Sequence, residues 1–311
     1  MKKFLIILGV LLAIAAAAFG AAVFLTPPPP TPPAPLPFPE TKALSAAVID
    51  GDTGEIYGEK NGNTRINPAS TTKMLTAILA LEEGRHLLWQ DAKITPLAAH
   101  QDGTLLGLVP GMRIWLSEVV SGMMLVSGND AAVVVAETVG GTYERFIDMM
   151  NEKAKVVGVT DSHFANPSGL TDANHYATAV DMAKIAQYAM KNEEFREIVK
   201  QKTHSMVYED GTVIVVENRN EFLSGGYPGA NGVKTGMTEA AGDCLVASAS
   251  QNGKLMIACV YHDDARWKDV EVLLDYGFKT AAQNARYEAE LAAEPPFFKW
   301  VNQMRGRESR D

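Results

Sequence analysis

The chain opens with its longest apolar run, and this run predicts a helix without a polar face. Lys2 and Lys3 precede 22 uncharged residues, Phe4 to Leu25. A membrane-spanning helix needs about 20 apolar residues, whereas the apolar core of a signal peptide has about 7–15. The length favours an uncleaved anchor over residues 1–25, although small residues at 16–22 leave a cleaved signal peptide open. Both alternatives export the rest of the chain, because the lysines stay on the cytoplasmic side.

Proline dominates the next segment, residues 26–40. Proline lacks an N–H donor and fixes its φ angle, so a run of prolines favours an extended polyproline II conformation. We expect a linker without a folded core, which is either disordered or acts as a semi-rigid stalk.

Residues 41–285 have strand patterns at both ends and helix patterns in the middle, and they predict one folded domain. Asn252-Gly253 is a strong signal for a two-residue hairpin, and Thr178 with Asp181 resembles a helix N-cap. The predicted strands are 43–50, 55–58, 205–208, 212–216, 232–237, 244–250 and 255–262. The predicted helices are 70–83, 117–126, 130–139, 142–157, 178–190 and 266–276. Strands at both ends indicate an α+β fold, with an antiparallel sheet built from both chain ends, packed with helices, plus a mostly helical subdomain.

The remaining residues, 286–311, form a C-terminal tail that mixes aromatic and basic side chains, such as Trp300 and Arg305. Such a mixture can touch a membrane surface. A disordered terminus is the favoured interpretation, because terminal residues are poorly ordered unless something holds them.

Composition and charge exclude several classes of function. The chain is 47% hydrophobic and 21% charged, which is ordinary for a globular protein. Its net charge of −9 argues against a nucleic-acid partner, because binding to phosphates requires basic patches. The six histidines and two cysteines have no metal-ligand spacing. We therefore expect no metal and no cofactor.

An exported chain with two cysteines, Cys244 and Cys259, raises the question of a disulfide. If the Asn252-Gly253 turn pairs Gln251 with Lys254, then Cys259 faces Val246 and lies diagonally from Cys244. Diagonal neighbours are about 7–8 Å apart, beyond the usual Cα separation of a disulfide, which is about 4.4–6.8 Å. The register predicts that both thiols stay free.

The first chemical motif is Ser70-Thr71-Thr72-Lys73, which begins a predicted helix after Pro68. A spacing of three places Ser70 and Lys73 on one helix face. A serine hydroxyl becomes a good nucleophile when a base removes its proton, and a desolvated lysine near another cation can be that base. Alone the motif is weak evidence, because a helix that has an N-cap serine and a surface lysine would have the same sequence pattern.

Two further motifs follow, Ser127-Gly128-Asn129 between two helices and Lys234-Thr235-Gly236 on a late strand. Each is weak alone, since the first could be a plain turn and the second an ordinary sheet edge. The glycine would let a ligand or another backbone approach closely, and the lysine would depress the pKa of Lys73. Together, in this order, the three motifs match the signature of β-lactamases and penicillin-binding proteins.

Between residues 43 and 278 the sequence resembles the low-molecular-weight penicillin-binding proteins, specifically the D-alanyl-D-alanine carboxypeptidase family of serine peptidases. The resemblance implies a β-lactamase/transpeptidase-like fold. Besides the three motifs, it rests on Asp50-x-x-Thr53-Gly54, Phe164-Ala165-Asn166-Pro167-Ser168-Gly169-Leu170, His175, Thr178, Asp181-Met182-Ala183, Gly232-Val233, Met237-Thr238, Ala241-Gly242 and Leu273-Leu274-Asp275-Tyr276-Gly277-Phe278.

The resemblance implies a role for each motif residue. Ser70 is acylated by the penultimate D-alanine of a peptidoglycan stem peptide, and Lys73 is the base for that step. Ser127 relays a proton to the leaving amine, and Asn129 holds the substrate amide. Lys234 and Thr235 bind the terminal carboxylate.

Three further residues complete the site that the resemblance implies. The N–H groups of Ser70 and Met237 form the oxyanion hole, beside Gly236. Arg266 assists with the substrate carboxylate, although an ordinary surface arginine at a helix start is an equal alternative.

The expected function is a serine-type D-Ala-D-Ala carboxypeptidase, inhibited covalently by β-lactam antibiotics, on the extracytoplasmic face of the membrane. A β-lactamase and a D,D-endopeptidase of the same fold are alternatives, and a non-catalytic wall-binding module is a third. The sequence has no Glu-x-x-Leu-Asn between Asn129 and Lys234, where a β-lactamase of class A would carry its base. The intact Ser70, Lys73 and Lys234 argue against a non-catalytic module.

Overall fold

Strands from both ends of the folded domain form one antiparallel sheet, as the sequence predicts. A computed structural model describes residues 2–308 of the chain. The strands are β1 Ser45–Asp50, β2 Ile56–Lys60, β3 Thr203–Val207, β4 Val213–Glu217, β5 Ala230–Thr238, β6 Gly242–Gln251 and β7 Lys254–Tyr261. The main sheet has the order β2-β1-β7-β6-β5, and β3 pairs with β4 in a separate two-stranded sheet.

The helices lie mostly between β2 and β3 in the sequence. They are α1 Lys2–Leu25, α2 Lys73–Glu82, α3 Pro96–Ala99, α4 Leu116–Val126, α5 Asn129–Gly140, α6 Tyr143–Val157, α7 Ala179–Ala189, α8 Glu193–Val199, α9 Arg266–Ala293 and α10 Pro296–Glu308. Side-chain caps define several starts: Thr142 accepts from the Arg145 N–H, and Thr178 accepts from the Asp181 N–H. Such caps satisfy N–H groups that have no partner within the helix.

Helix α2 is the centre of the domain. Every residue from Lys73 to Leu81 is buried. The helix packs against α4, α5, α6 and α7. A helix surrounded in this way is apolar on nearly all sides, and after Lys73 the sequence Met-Leu-Thr-Ala-Ile-Leu-Ala-Leu has a single polar residue, Thr76. Because the interior is close-packed, the N-terminal end of α2 has a fixed position.

The last predicted helix is longer in the structure than in the sequence analysis. Helix α9 continues from Arg266 to Ala293 instead of ending at Tyr276. Gly277 does not stop it. A Cβ atom at Gly277 would lie 2.6 Å from Met256 Sδ and 2.9 Å from Val48 Cγ1, so the glycine lets the helix approach the sheet. The short helices α3 and α8 were not predicted.

The chain ends form a second compact unit, up to Pro35 and from Thr280. Its Ile6–Leu25 stretch is long and apolar enough to cross a membrane, with a mean hydropathy of 2.7. The expected disorder of the tail is wrong for residues 296–308, which form α10. The Trp300 ring meets Phe19 edge-on at 5.6 Å, and Arg305 donates to the carbonyls of Val23 and Thr26. Residues 27–40 contain no helix or strand.

The register of the β6–β7 hairpin confirms the expected cysteine geometry. Gln251 pairs with Lys254 and Val246 with Cys259, so Cys244 lies one diagonal step away, and both thiols are free and buried. We therefore expect both cysteines to react with a maleimide after denaturation without reductant, and neither to react in the native protein. A denatured protein that takes up no label without reductant would show that the two residues are bonded.

Candidate active site

Ser70 lies on a short 3₁₀ turn, Ala69–Thr72, that leads directly into α2. Two glycines make room for this turn. A Cβ atom at Gly236 would lie 3.2 Å from the Ser70 nitrogen, and one at Gly169 would overlap the Ala69 carbonyl. Ala69 itself has a φ angle of 47°, in the left-handed region that costs an L-residue about 1–2 kcal/mol. Strained backbone of this kind clusters at functional sites.

Lys73 is fully buried, and its Nζ atom contacts three oxygens. Nζ lies 2.9 Å from Ser70 Oγ, 2.7 Å from Asn129 Oδ1 and 2.7 Å from the Ser168 carbonyl. The structure thus joins the first and second sequence motifs at one nitrogen. The Ser168 carbonyl was not expected as a partner, because a backbone oxygen carries no signature in the sequence.

The surroundings of Lys73 lower its pKa well below the ordinary value of 10.5. Burial is the main cause, since it disfavours the charged ammonium. The nearby positive charge of Lys234 acts in the same direction, and the carboxylate of Asp130 opposes both. A lysine with these neighbours has access to its neutral form.

The second motif follows α4, where Ser127 has a left-handed φ of 72°. This turn places Asn129 at the start of α5, with its Nδ2 donating to the Asp102 carbonyl at 2.7 Å. The Asn129 N–H donates to the Thr104 carbonyl, also at 2.7 Å. Ser127 and Asn129 are both buried. The loop that contains Asp102 and Thr104 therefore fixes the carboxamide that contacts Lys73.

The buried carboxylate of Asp130 organises that loop. It accepts the N–H groups of Leu106, Gly107, Leu108 and Ala131 at 2.8–3.0 Å. Hydrogen bonds to an ionised acceptor are stronger than neutral ones, so this cluster stabilises the loop around one charge. Asp130 was not among the predicted site residues.

The third motif lies on β5, which is an edge strand among the described residues and pairs with β6 alone. Lys234 is 1% exposed, and its pKa is lowered to about 7 by burial and then by the charges of Arg219 and Arg266. Its Nζ donates to the Thr235 carbonyl at 3.1 Å. Gly236 is buried and Met237 is exposed. The close approach expected at Gly236 is therefore to the backbone of Ser70.

Arg266 reaches the same strand from the start of α9. Its Nη1 donates to the Gly236 carbonyl at 3.1 Å and to Asp243 Oδ1 at 2.8 Å. Its Nε atom is buried and finds no partner among residues 2–308. These contacts distinguish Arg266 from an ordinary surface arginine, because its guanidinium is fixed at the strand that carries the third motif.

Residues from these elements line one cleft of about 460 Å³. Most of the expected residues meet there, and six polar side chains that were not predicted join them. Arg219 is one of these, and it donates to Thr104 Oγ1 at 2.8 Å. It follows β4 without a motif around it, so its position depends on how the β3–β4 hairpin packs, which no local pattern specifies. The lining residues are Ser70, Thr104, Ser127, Glu217, Asn218, Arg219, Glu221, Thr235, Gly236, Met237, Asp243 and Arg266.

The fold and the site together define a class, serine acyl enzymes of the penicillin-binding type. In this class a serine and a lysine begin a buried helix, beside a strand that carries Lys-Thr-Gly. A family model described as D-alanyl-D-alanine carboxypeptidase matches residues 31–265. The chain belongs to the D-alanyl-D-alanine carboxypeptidase family of serine peptidases.

Relatives support the same family. The chain is 34% identical over 253 residues to D-alanyl-D-alanine carboxypeptidase DacF of Bacillus subtilis, covering 79% of this chain and 65% of DacF. It is 33% identical to DacB2 of Mycobacterium tuberculosis, covering 78% of this chain and 84% of that protein. A solved mutant of the Streptomyces K15 DD-transpeptidase has a TM-score of 0.73 and 31% identity, covering 78% of this chain and 99% of that one. The chain thus spans about two thirds of the length of DacF.

The Asp130 cluster generates a prediction on stability. Asp130→Ala leaves four backbone N–H groups without their acceptor, and we expect a loss of about 3 kcal/mol in the free energy of unfolding. Asp161→Ala is the matched control, because it removes an exposed ion pair with Arg65 and should cost much less. Urea denaturation measures both. Equal losses in the two variants would contradict the role given to Asp130.

Proposed function

We propose that the protein is a serine-type D-alanyl-D-alanine carboxypeptidase that removes the terminal D-alanine from peptidoglycan stem peptides through an acyl-enzyme on Ser70. The observation that carries this proposal is the environment of Lys73 Nζ, which lies 2.9 Å from Ser70 Oγ in a buried site. The names of the relatives, which are carboxypeptidases of this specificity, support the substrate class.

The contacts of Lys73 suit a general base. A neutral amine has two N–H bonds and one lone pair. Asn129 Oδ1 and the Ser168 carbonyl, both 2.7 Å away, can accept the two N–H bonds. The lone pair then faces Ser70 Oγ and can take its proton as the oxygen attacks the carbonyl carbon of the penultimate D-alanine. The negative charge on the carbonyl oxygen would be met by the N–H groups of Ser70 and Met237.

Breakdown of the tetrahedral intermediate requires a proton on the leaving nitrogen of the terminal D-alanine. Ser127 lines the same cleft as Ser70, so it can pass the proton from Lys73 to that nitrogen. The peptide bond then breaks, D-alanine leaves, and the acyl group stays on Ser70 as an ester. Water, deprotonated by Lys73 directly or through Ser127, hydrolyses the ester and regenerates the enzyme.

Positive charges at one end of the cleft suit the carboxylate of the terminal D-alanine. Lys234, Arg219 and Arg266 lie close enough for the two arginines to lower the pKa of Lys234. A bound carboxylate would reverse that effect and favour the charged lysine. Thr235 lines the cleft beside them and can donate its hydroxyl. An extended stem peptide can also pair with the free edge of β5.

Asn129 contributes to the mechanism by its contact with Lys73. Both ends of its carboxamide already have protein partners, Lys73 Nζ and the Asp102 carbonyl. The carboxamide nitrogen has a second N–H, from which a substrate carbonyl can accept a hydrogen bond. We therefore assign Asn129 first to the positioning of Lys73, and the contact with substrate is a second role.

We place the enzyme on the extracytoplasmic side of the membrane, where its substrate lies. The apolar length of α1, with a span from Ile6 to Leu25, supports an N-terminal anchor. The proline-rich residues that follow would hold the catalytic domain away from the bilayer. Cleavage after α1 would give a secreted enzyme with the same chemistry.

A β-lactamase is the second candidate, because two carboxylates, Glu217 and Glu221, line the cleft. Such an enzyme needs a base that activates water against the penicilloyl ester, and loss of a general base costs about 10²–10⁴ in rate. Neither glutamate has a hydrogen bond to Ser70 or Lys73 among the contacts described above. Hydrolysis of the penicilloyl-enzyme within about a second, measured by mass spectrometry, would favour this candidate.

The proposed activity predicts that the protein releases one D-alanine from each muramyl pentapeptide. Ser70→Ala should release none and should lose covalent labelling by a fluorescent penicillin, while keeping the thermal stability of the fold. Release is measured with a D-amino-acid oxidase assay and the shortened peptide by mass spectrometry. Full labelling of the alanine variant, or cleavage within a cross-linked dimer without release of D-alanine, would contradict the assignment.

A further inference from the structure

The Ser168 carbonyl that contacts Lys73 belongs to a segment with no helix or strand, residues 164–175. A second carbonyl of the segment, that of Pro167, accepts from Thr76 Oγ1 at 2.7 Å. The segment therefore lies along the first two turns of α2. Irregular backbone at such a place keeps its position through side-chain hydrogen bonds.

Asn166 fixes the shape of the segment from within. Its Oδ1 accepts the N–H groups of Ser168 and Gly169 at 3.3 and 2.7 Å, and its Nδ2 donates to the Leu170 carbonyl at 2.9 Å. These bonds close a turn around the Ser168 carbonyl. They do not fix the distance between that turn and the helix that carries Lys73.

His175 makes this second connection. The Ala165 N–H donates to His175 Nδ1 at 3.1 Å, and His175 Nε2 lies 2.9 Å from Thr72 Oγ1. Thr72 precedes Lys73 in the chain, and His175 is 2% exposed. The Phe164 ring meets the imidazole edge-on at 5.7 Å. One buried imidazole thus joins the segment to the nucleophile turn, which is the 3₁₀ turn Ala69–Thr72 that carries Ser70.

The hydrogen bonds also define the tautomer of His175. A backbone N–H can only donate, so Nδ1 is the acceptor and carries no proton, and the proton on Nε2 points to Thr72 Oγ1. Burial lowers the pKa of His175 to about 4, and the charges of Lys73 and His163 add to this, while Asp172 opposes them. A protonated imidazole would turn Nδ1–H against the Ala165 N–H, so the connection requires the neutral ring.

We infer that His175 is a positioning residue for acylation, which holds the Ser168 carbonyl and the Ser70–Lys73 turn at a fixed distance through Ala165 and Thr72. The inference rests on the proposed role of Lys73 as the base. His175 touches no substrate. His175 affects the reaction by fixing the position of the Lys73 amine. A misplacement of about 1 Å at a catalytic group can cost about 100-fold in rate.

His175→Leu tests the inference, since leucine fills the space and pairs with neither neighbour. We expect the acylation rate constant with a fluorescent penicillin to fall about 10- to 100-fold. The dissociation constant of the initial complex should change by less than about 3-fold, because the substrate does not contact this residue. Stopped-flow fluorescence over a range of penicillin concentrations separates the two constants.

Three further variants make the test specific. His175→Gln keeps an acceptor for Ala165 and a donor for Thr72, so it should restore most of the rate. Thr72→Val removes the same hydrogen bond from the other side, and decides the question if His175→Leu does not fold. Gln187→Leu is the matched control. It deletes a buried hydrogen bond to the Gly51 carbonyl, 3.2 Å long, outside the nucleophile turn, and should leave acylation unchanged.

A wild-type rate constant in His175→Leu, or a loss in His175→Gln as large as that in His175→Leu, would overturn the inference and leave the proposed function intact. The absence of any acylation in the wild-type protein would overturn the proposed function and the inference with it. An equal loss of rate in Gln187→Leu would show that stability alone controls the rate, and would also overturn the inference.

Discussion

The burial of one amino group, Nζ of Lys73, is the constraint on which the rest of the active site depends. An ammonium in a dry site is expensive unless its surroundings compensate for the lost water. The protein supplies two oxygen acceptors and the carboxylate of Asp130, and it also places the cation of Lys234 nearby. These opposing influences bring the charged and neutral forms of Lys73 closer in free energy. A group in that condition can accept a proton from Ser70 and return it later in the reaction.

The fold explains why this balance can be maintained. Helix α2 is buried on all sides, so Lys73 cannot swing out to water. The second motif approaches from the α4–α5 turn, and the third lies on the edge strand β5, whose Gly236 lets the sheet approach Ser70. Three elements that are distant in sequence therefore meet within one cleft. Each contributes a contact that a mobile loop alone could not hold at a constant distance.

Residues could be predicted from the sequence where a reactive side chain lies within a recognisable local motif. Ser70, Lys73, Ser127, Asn129 and Lys234 could be selected as candidate site residues because their side chains belong to ordered motifs, and the sheet followed from turns such as Asn252-Gly253. Backbone groups were not identifiable in this way. The Ser168 carbonyl has no residue signature, and the position of Arg219 depends on how the β3–β4 hairpin lies against Thr104.

The differences in the helices have a related cause. The last helix was predicted to end at Tyr276, whereas in the structure it continues through Gly277, which packs closely against Met256. Glycine has a low helix propensity, but tertiary packing can override it. The order of residues 296–308 depends on contacts between the two chain ends, such as that of Trp300 with Phe19. Contacts between residues so far apart in the sequence leave no local pattern in the tail, so its order could not be predicted from the tail alone.

The central claim is most directly tested by the ionisation of Lys73 itself. In protein labelled with ¹³C at lysine Cε, the Lys73 resonance can be assigned by its loss in Lys73→Arg and followed as the pH is raised. The account predicts a midpoint well below the ordinary pKa of 10.5, and a higher midpoint in Lys234→Gln, where the neighbouring charge is absent. A midpoint at or above 10.5 in the wild-type protein would contradict the account, because Lys73 would then remain an ammonium that cannot deprotonate Ser70.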